Sequence, residues 1–231
     1  MRSAVFLDRD GVINESRRDY VRSWDEFRFL PGALASLRRL ASTPYAIVVV
    51  SNQSAINRGL VSRAEVNAIN DRMLREIEEA GGRIDGVYIC PHRPDEECAR
   101  KKPKPGLLYQ AAYELGIDLS SSYLVGDTLS GVTAALAAAC TPILVLSDRG
   151  CKELEKGCCF YPRGFFVAPD VAGSVDSILR RSCPHRRERG NSPGTHEPAT
   201  EARSGRDSEW ARASAMTPGG GKGAERGIPR S

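Results

Sequence analysis

The sequence has 231 residues, of which 41% are hydrophobic, and its 33 lysines and arginines exceed its 29 acids for a formal net charge of +4. This is enough for one hydrophobic core of ordinary size and a tail. No apolar stretch reaches the roughly 18 residues that a membrane-spanning helix needs. The N-terminus also lacks a charged segment followed by a long apolar run, so we expect a cytoplasmic protein without a membrane partner.

Short apolar runs alternate with stretches of helical periodicity along residues 1–182. The apolar runs predict strands at residues 4–7, 46–50, 86–89, 123–125 and 143–146. The stretches between them predict helices at residues 32–41, 63–80, 106–115 and 132–139. The second helix has the clearest bounds, because Ser62 and Glu65 form a capping box and the sequence AGG follows at 80–82. Fully apolar strands alternating with helices predict an α/β fold whose parallel sheet is covered on both faces.

A different composition begins at residue 183. Residues 183–231 are rich in glycine, proline, serine and arginine and contain almost no aliphatic side chains. Such a segment cannot bury enough apolar surface to offset the loss of chain entropy. We therefore expect residues 1–182 to form the folded domain and residues 183–231 to be a disordered tail. Acids are interspersed among the basic residues of the tail and aromatic residues are almost absent, so we expect no nucleic-acid partner.

The first predicted strand ends in two acids, in the sequence AVFLDRDGV at residues 4–12. In extended backbone Asp8 and Asp10 point to the same side, and Gly11 lets the chain turn beside them. Two carboxylates this close repel each other unless a cation neutralises them or one is protonated. A solvated Asp-Gly turn is an alternative. So is a calcium loop, although the third acid and the distal glutamate of that pattern are absent.

Three more polar segments follow predicted strands. SNQSAINRG at 51–59 follows the second strand, CPHRPDEECARKKPKPG at 90–106 the third, and GDTLSG at 126–131 the fourth. Parallel sheets bind ligands beyond the carboxyl ends of their strands. Four strand ends are therefore expected to bring three carboxylates, a hydroxyl and a lysine to one place.

These segments resemble the four motifs of the haloacid dehalogenase (HAD) superfamily of phosphotransferases. DRDG at 8–11 resembles the first motif, Ser51 the second, Lys102 the third and GD at 126–127 the fourth. FLDRDGVIN, SNQSAINRG, YICPH and KPKPGLL resemble the D-glycero-D-manno-heptose 1,7-bisphosphate phosphatase family across residues 3–146. Histidinol phosphatases share CPH and KPK and stay an alternative, but NQSxIxRG and the Pro-Gly after KPK favour the heptose enzymes. The resemblance implies a HAD-like, Rossmann-like α/β fold.

The resemblance implies a role for each matched residue. Asp8 is the nucleophile that takes the phosphoryl group, and Asp10 protonates the leaving sugar oxygen and then deprotonates water. Ser51 and Lys102 donate to the phosphoryl oxygens. Mg²⁺ is the implied cofactor, held by Asp8, Asp127 and the backbone carbonyl of Asp10.

Cysteine spacing matches only part of the zinc site of this family. The seven cysteines are an odd, irregularly spaced set, which in a reducing compartment predicts free thiols or metal ligands. Cys90, His92 and Cys98 match three of the family's zinc ligands, but Arg100 stands where the fourth cysteine belongs, and a structural zinc site normally has four ligands. We expect a loop without zinc, unless water or a distant thiol completes the site; those thiols are Cys151, Cys158 and Cys159.

Two further positions depart from the family. A second acid usually follows the GD by four residues, and Gly131 occupies that place, which is expected to weaken Mg²⁺ binding. The residue before Lys102 is usually arginine, which grips a phosphate with two parallel hydrogen bonds, whereas Lys101 offers a point charge.

The substrate side of the site is expected to be open. The segment between the first strand and the first helix is too short to contain a large cap domain. The residues best placed to bind a sugar phosphate are Tyr20, Asn52, Gln53, Ser54, Arg58 and Lys101. We expect a monomer acting on a small molecule, with a non-catalytic relative that binds a phosphorylated ligand as the alternative class.

Overall fold

Six strands form one parallel sheet in the computed structural model, which describes residues 1–147, 149–157 and 164–182. The strands are β1 Ala4–Leu7, β2 Ala46–Asn52, β3 Gly86–Cys90, β4 Tyr123–Gly126, β5 Thr141–Val145 and β6 Phe166–Ala168. The helices are α1 Ala33–Ala41, α2 Arg63–Glu79, α3 Gly106–Leu115, α4 Leu129–Ala137, α5 Gly150–Gly157 and α6 Val171–Ser182. The expected disordered tail at 183–231 lies outside the described residues, as do Cys158 and Cys159.

The order of the strands in the sheet is β3-β2-β1-β4-β5-β6. The chain moves outward from β1 to β3 and then returns to the middle, where β4 pairs with β1 in parallel. The carboxyl ends of β1 and β4 therefore flank the point at which the strand order reverses. Open α/β sheets bind their ligands in the crevice at this point.

Both faces of the sheet are covered by helices, as the sequence predicted. Val5 and Leu7 of β1 face a core shared with α1, α2 and α6, whereas Ala4 and Phe6 face a core shared with α3 and α4. Successive side chains of a strand point to opposite faces, so a strand buried on both faces is apolar throughout. This explains why the strands of the sheet are continuous apolar runs in the sequence.

The predicted elements are found with shifted ends, and three elements were missed. Helix α4 begins at Leu129, three residues before the predicted start. Its first turn contains Ser130 and Gly131, which are not apolar and so do not show the helical periodicity. The missed elements are β6, α5 and α6. Strand β6 has only three residues, which is too short to show a pattern. Helix α6 could have been predicted, because the spacing of Val171, Val175 and Ile178 indicates a helix.

The segment between β1 and α1 contains only one short 3₁₀ helix, Trp24–Glu26, so the absence of a large cap domain at this point is confirmed. Trp24 stacks on Phe27 at a ring-centroid distance of 4.7 Å, and the pair anchors the segment on the core. Within the described part of the chain, no helix has both the length and the apolar composition needed to cross a membrane.

Candidate active site

One cavity of about 270 Å³ opens at the carboxyl ends of the central strands. The backbone N–H of Asp8 donates to the Val125 carbonyl at 2.9 Å and so ties the end of β1 to β4. Eight residues predicted for the site line this cavity: Asp8, Asp10, Tyr20, Ser51, Asn52, Ser54, Lys102 and Asp127.

Lys102 reaches the first acid from the loop after β3. Its Nζ donates to Asp8 Oδ2 at 2.5 Å and to the Val50 carbonyl at 3.0 Å, and the residue is 5% exposed. The other carboxylate oxygen of Asp8 accepts from the backbone N–H of Arg9 at 2.9 Å. The carboxylate at the end of β1 is therefore held at both oxygens, with a buried cation beside it.

The second acid accepts hydrogen bonds from more side chains than the first. Asp10 accepts from the guanidinium of Arg9, from Asn14 Nδ2 at 2.9 Å and from Gln53 Nε2 at 2.7 Å. Burial raises the pKa of Asp10, but the charge of Arg9 and these hydrogen bonds together bring that pKa below its usual value. The surroundings therefore favour the carboxylate form of Asp10.

Asn52 and Gln53 fix other parts of the site. Asn52 Oδ1 accepts from the backbone N–H of Lys102, and its Nδ2 donates to the Lys102 carbonyl, both at 3.1 Å. Gln53 Nε2 also donates to Ser51 Oγ at 2.9 Å. The two side-chain amides thus hold the loop of Lys102 and join Ser51 to Asp10, and the side chain of Gln53 does not line the cavity.

Tyr20 stands on the cavity wall in an unusual backbone conformation. Its φ of 66° lies in the left-handed region, which costs a non-glycine residue about 1–2 kcal/mol. The hydroxyls of Tyr20 and Ser54 are 3.3 Å apart and form a hydrogen bond. A strained residue on a binding cavity is a feature of functional sites.

Arg58 and Lys101 do not line the cavity, although both were predicted to bind substrate. Arg58 is exposed, and Lys101 is half-buried beside the cavity residue Lys102. Burial lowers the pKa of Lys101 most; Cys90 and Tyr20 act in the opposite direction, and the nearby charges of Arg58 and Lys102 lower it. They therefore form a cationic patch next to the cavity.

Several residues of the cavity wall could not be identified from the sequence. Three of them are cations from two different loops: Arg17 and Arg18 follow β1, and Arg149 follows β5. Arg149 Nε lies 3.4 Å from Asp127 Oδ2. These arginines occur in polar stretches without a recognisable motif, so only the fold brings them to the cavity. The other unpredicted wall residues are Val21, Thr128 and Ser130.

The residues expected to hold Mg²⁺ supply the donor types that this ion prefers. Asp8 and Asp127 bring carboxylates to one cavity, and Asp127 is fully buried at the switch point between β1 and β4. Gly11 makes room for it, because a Cβ on Gly11 would lie 2.1 Å from Asp127 Oδ2. No acid stands at Gly131. The hard oxygen donors therefore fit Mg²⁺, without the additional acid usual in the resembled family.

Cys90, the last residue of β3, lies close to His92 and Cys98 of the loop that follows. Their ligand atoms are all within 4.8 Å of one another, and Cys90 Sγ is 3.5 Å from His92 Nδ1. The backbone N–H of Arg100 donates to Cys98 Sγ at 3.4 Å. Among the described residues no fourth histidine, cysteine or acid joins this cluster, and Cys151 is not part of it. The described residues therefore supply three corners of a tetrahedral zinc site.

Comparison with known proteins agrees with this geometry. The chain is 39% identical over 178 residues to the D-glycero-beta-D-manno-heptose-1,7-bisphosphate 7-phosphatase of Bordetella bronchiseptica, covering 77% of this chain and 98% of that protein. A protein of the same name from Pseudomonas aeruginosa is 36% identical over 179 residues, covering 78% of this chain and 99% of that protein. A family described as HAD-hydrolase-like matches residues 99–174.

A solved structure extends the similarity to three dimensions. The D,D-heptose 1,7-bisphosphate phosphatase from B. bronchiseptica, crystallised with magnesium and phosphate, superimposes with a TM-score of 0.74 at 39% identity. The match covers 78% of this chain and 99% of that one. The chain therefore belongs to the D-glycero-beta-D-manno-heptose-1,7-bisphosphate 7-phosphatase family, whose members are phosphoric monoester hydrolases of the HAD superfamily.

Proposed function

We propose that this chain is a Mg²⁺-dependent phosphatase that removes the 7-phosphate of D-glycero-D-manno-heptose 1,7-bisphosphate. The observation that carries the proposal is the convergence of Asp8, Asp10, Ser51, Lys102 and Asp127 on one cavity. The names of the relatives, which this chain matches over nearly their full length, support the substrate.

Asp8 begins the reaction by attacking phosphorus. A carboxylate oxygen of Asp8 forms a bond to phosphorus while the bond from phosphorus to the sugar oxygen breaks, which leaves an aspartyl phosphate. Lys102 Nζ donates to Asp8 Oδ2 in the structure. During the reaction it donates to the phosphoryl oxygens instead, together with the Ser51 hydroxyl. Asp8, Asp127 and the backbone carbonyl of Asp10 would hold Mg²⁺, which would neutralise charge on the phosphoryl group.

Asp10 carries the proton through both steps. In its protonated form it gives the proton to the leaving sugar oxygen, so that the sugar departs as an alcohol. The resulting carboxylate then accepts a proton from the water that attacks the aspartyl phosphate, which releases phosphate and restores Asp8. The donors around Asp10 favour the carboxylate, the form needed for the second step.

The charge of the cavity wall favours a bisphosphate over histidinol phosphate. Arg17, Arg18 and Arg149 line the cavity in addition to Lys102, and Lys101 lies beside it. A second phosphate group is attracted to such a surface, whereas the ammonium group of histidinol phosphate is repelled by it.

Phosphate release from the two substrates tests the proposal. We expect the wild-type chain with Mg²⁺ to hydrolyse heptose 1,7-bisphosphate with a much higher kcat/KM than histidinol phosphate, and Asp8→Asn to hydrolyse neither. The reverse preference would identify a histidinol phosphatase. Binding of the bisphosphate without turnover by wild-type protein would identify a non-catalytic relative.

We infer that zinc is not a stoichiometric component of the protein. Cys90, His92 and Cys98 supply three ligands, and no fourth histidine, cysteine or acid joins them within residues 1–147, 149–157 and 164–182. The Arg100 guanidinium cannot serve as the fourth ligand because it stays protonated.

A further inference from the structure

Arg9, the residue between the two acids of the first motif, is fully buried and does not line the cavity. A guanidinium cannot escape burial by losing its proton, so it needs partners that compensate its lost hydration. A fully buried arginine beside a reaction centre is therefore a specific structural feature that its contacts must explain.

The contacts of Arg9 join the second acid to a distant helix. Its Nε donates to Asp10 Oδ1 at 3.3 Å, and its Nη2 lies 3.1 Å from both oxygens of Asp10. Its Nη1 donates to Asn70 Oδ1 at 3.0 Å. Asn70 belongs to α2, is 5% exposed and lies outside the cavity. The guanidinium thus links the Asp10 carboxylate to the body of the domain.

We propose that Arg9, anchored by Asn70, is a positioning residue that fixes the direction in which the Asp10 carboxyl group faces the leaving oxygen of the substrate. This role rests on the proposed function, in which Asp10 supplies the proton for that oxygen. The planar fork of arginine holds a carboxylate in one orientation, which the point charge of a lysine does not.

The orientation of Asp10 matters because proton transfer in the first step is sensitive to geometry. General acid catalysis by a positioned side chain contributes about 10²–10⁴-fold. A displacement of about 1 Å in a reacting group can reduce the rate about 10²-fold. Asn14 and Gln53 also donate to Asp10, but each contacts one oxygen, whereas Arg9 contacts both.

Comparison of leaving groups separates this role from general structural support. A sugar oxygen leaves as a poor alkoxide unless it is protonated, whereas p-nitrophenolate leaves readily without a proton. The ratio kcat/KM reports the steps up to the first irreversible one, here the transfer of the phosphoryl group to Asp8, and so excludes the later hydrolysis. A misdirected Asp10 should therefore slow the sugar phosphate selectively.

The experiment measures kcat/KM for heptose 1,7-bisphosphate and for p-nitrophenyl phosphate in Arg9→Lys and Asn70→Ala. For Arg9→Lys we expect a loss of about 10²-fold with the sugar phosphate and of no more than about threefold with p-nitrophenyl phosphate. Asn70→Ala should show the same selectivity with a smaller loss. Asp10→Asn removes the proton donor and should show the largest difference between the losses with the two substrates. Asn67→Ala, at an exposed position of α2, should behave like wild type.

Each outcome bears on the inference. Equal losses with both substrates in Arg9→Lys and Asn70→Ala, or no loss with either, would overturn it while leaving the proposed function intact. If Arg9→Lys does not fold, the selectivity of Asn70→Ala decides between the two results. A wild-type protein that hydrolyses neither substrate would overturn the proposed function, and the positioning role with it.

Discussion

Gly11 and Asp127 are so closely packed that a side chain on the first would occupy the space of the second. A Cβ on Gly11 would lie 2.1 Å from Asp127 Oδ2 and 2.3 Å from its Cγ. Gly11 also has a φ of 86°, in the left-handed region that glycine adopts without strain. The turn after the first acid pair therefore does two things: it redirects the chain and leaves room for the carboxylate of another strand.

Gly11→Ala is expected to disturb both stability and metal binding. Gly59→Ala is the matched control, because Gly59 has a φ of 70° but a Cβ at this position would have no atom within 4 Å. The control should lose about 1–2 kcal/mol of unfolding free energy from backbone strain alone. Gly11→Ala should lose more and require more Mg²⁺ for activity, as measured by urea unfolding and by Mg²⁺ titration of phosphate release. Equal effects in the two variants would contradict the packing argument.

Gly131→Asp is expected to strengthen Mg²⁺ binding. A Cβ at this buried position meets nothing closer than Leu124 Cδ2 at 3.8 Å, which is an ordinary van der Waals contact. An added acid near the metal should lower the half-saturating Mg²⁺ concentration about tenfold. Gly131→Ala, which adds helix propensity without charge, should leave that concentration unchanged. An unchanged Mg²⁺ requirement in Gly131→Asp would show that the missing acid does not limit metal affinity.

Lys101→Ala is expected to raise KM far more than it lowers kcat. Lys101 lies beside the cavity, and in the proposed function its charge attracts the second phosphate group of the substrate. Steady-state kinetics should show a KM increase of about tenfold with kcat within about twofold of wild type. Lys104→Ala, in the same basic run, should keep the wild-type KM because Lys104 does not line the cavity and its Nζ contacts the Glu97 carbonyl instead. Parallel losses in kcat and kcat/KM would instead place Lys101 in the chemical step.

Arg100→Cys is expected to complete a zinc site. The Cys90, His92 and Cys98 ligand atoms already lie within 4.8 Å of one another, and a thiol at position 100 supplies the fourth donor. Metal analysis should find about one zinc per chain in the variant and much less in wild type. The double variant Arg100→Cys with Cys98→Ser should lose the metal again. One zinc per wild-type chain would contradict the inference.

The sequence predicted the sheet and the residues at the ends of its central strands better than the walls of the cavity. Asp8 and Asp127 directly follow β1 and β4, and Ser51 lies near the end of β2, so the parallel topology brings these three together. Lys102 lies farther along the loop after β3, and the hydrogen bonds with Asn52 hold it at the cavity. The neighbours of these residues in the chain also include the residues that hold them, such as Gln53, but nothing in the sequence distinguishes an amide that binds substrate from one that positions a catalytic side chain.

Long-range contacts account for what the sequence did not predict. Arg149 reaches Asp127 from the loop after β5, and Asn70 reaches Arg9 from α2, in both cases without a local pattern. Helix α5 contains too few apolar residues for periodicity to reveal it, and β6 is only three residues long. Such features depend on which surfaces the fold brings together, and so they could not be predicted from neighbouring residues.

The identity of the attacking side chain is tested most directly by a crystal structure of the protein with Mg²⁺ and beryllofluoride, which mimics a phosphoryl group on a carboxylate. We expect beryllium bonded to a carboxylate oxygen of Asp8, with Lys102 Nζ and Ser51 Oγ donating to the fluorides. Beryllium bonded to Asp10 or Asp127 instead would contradict it.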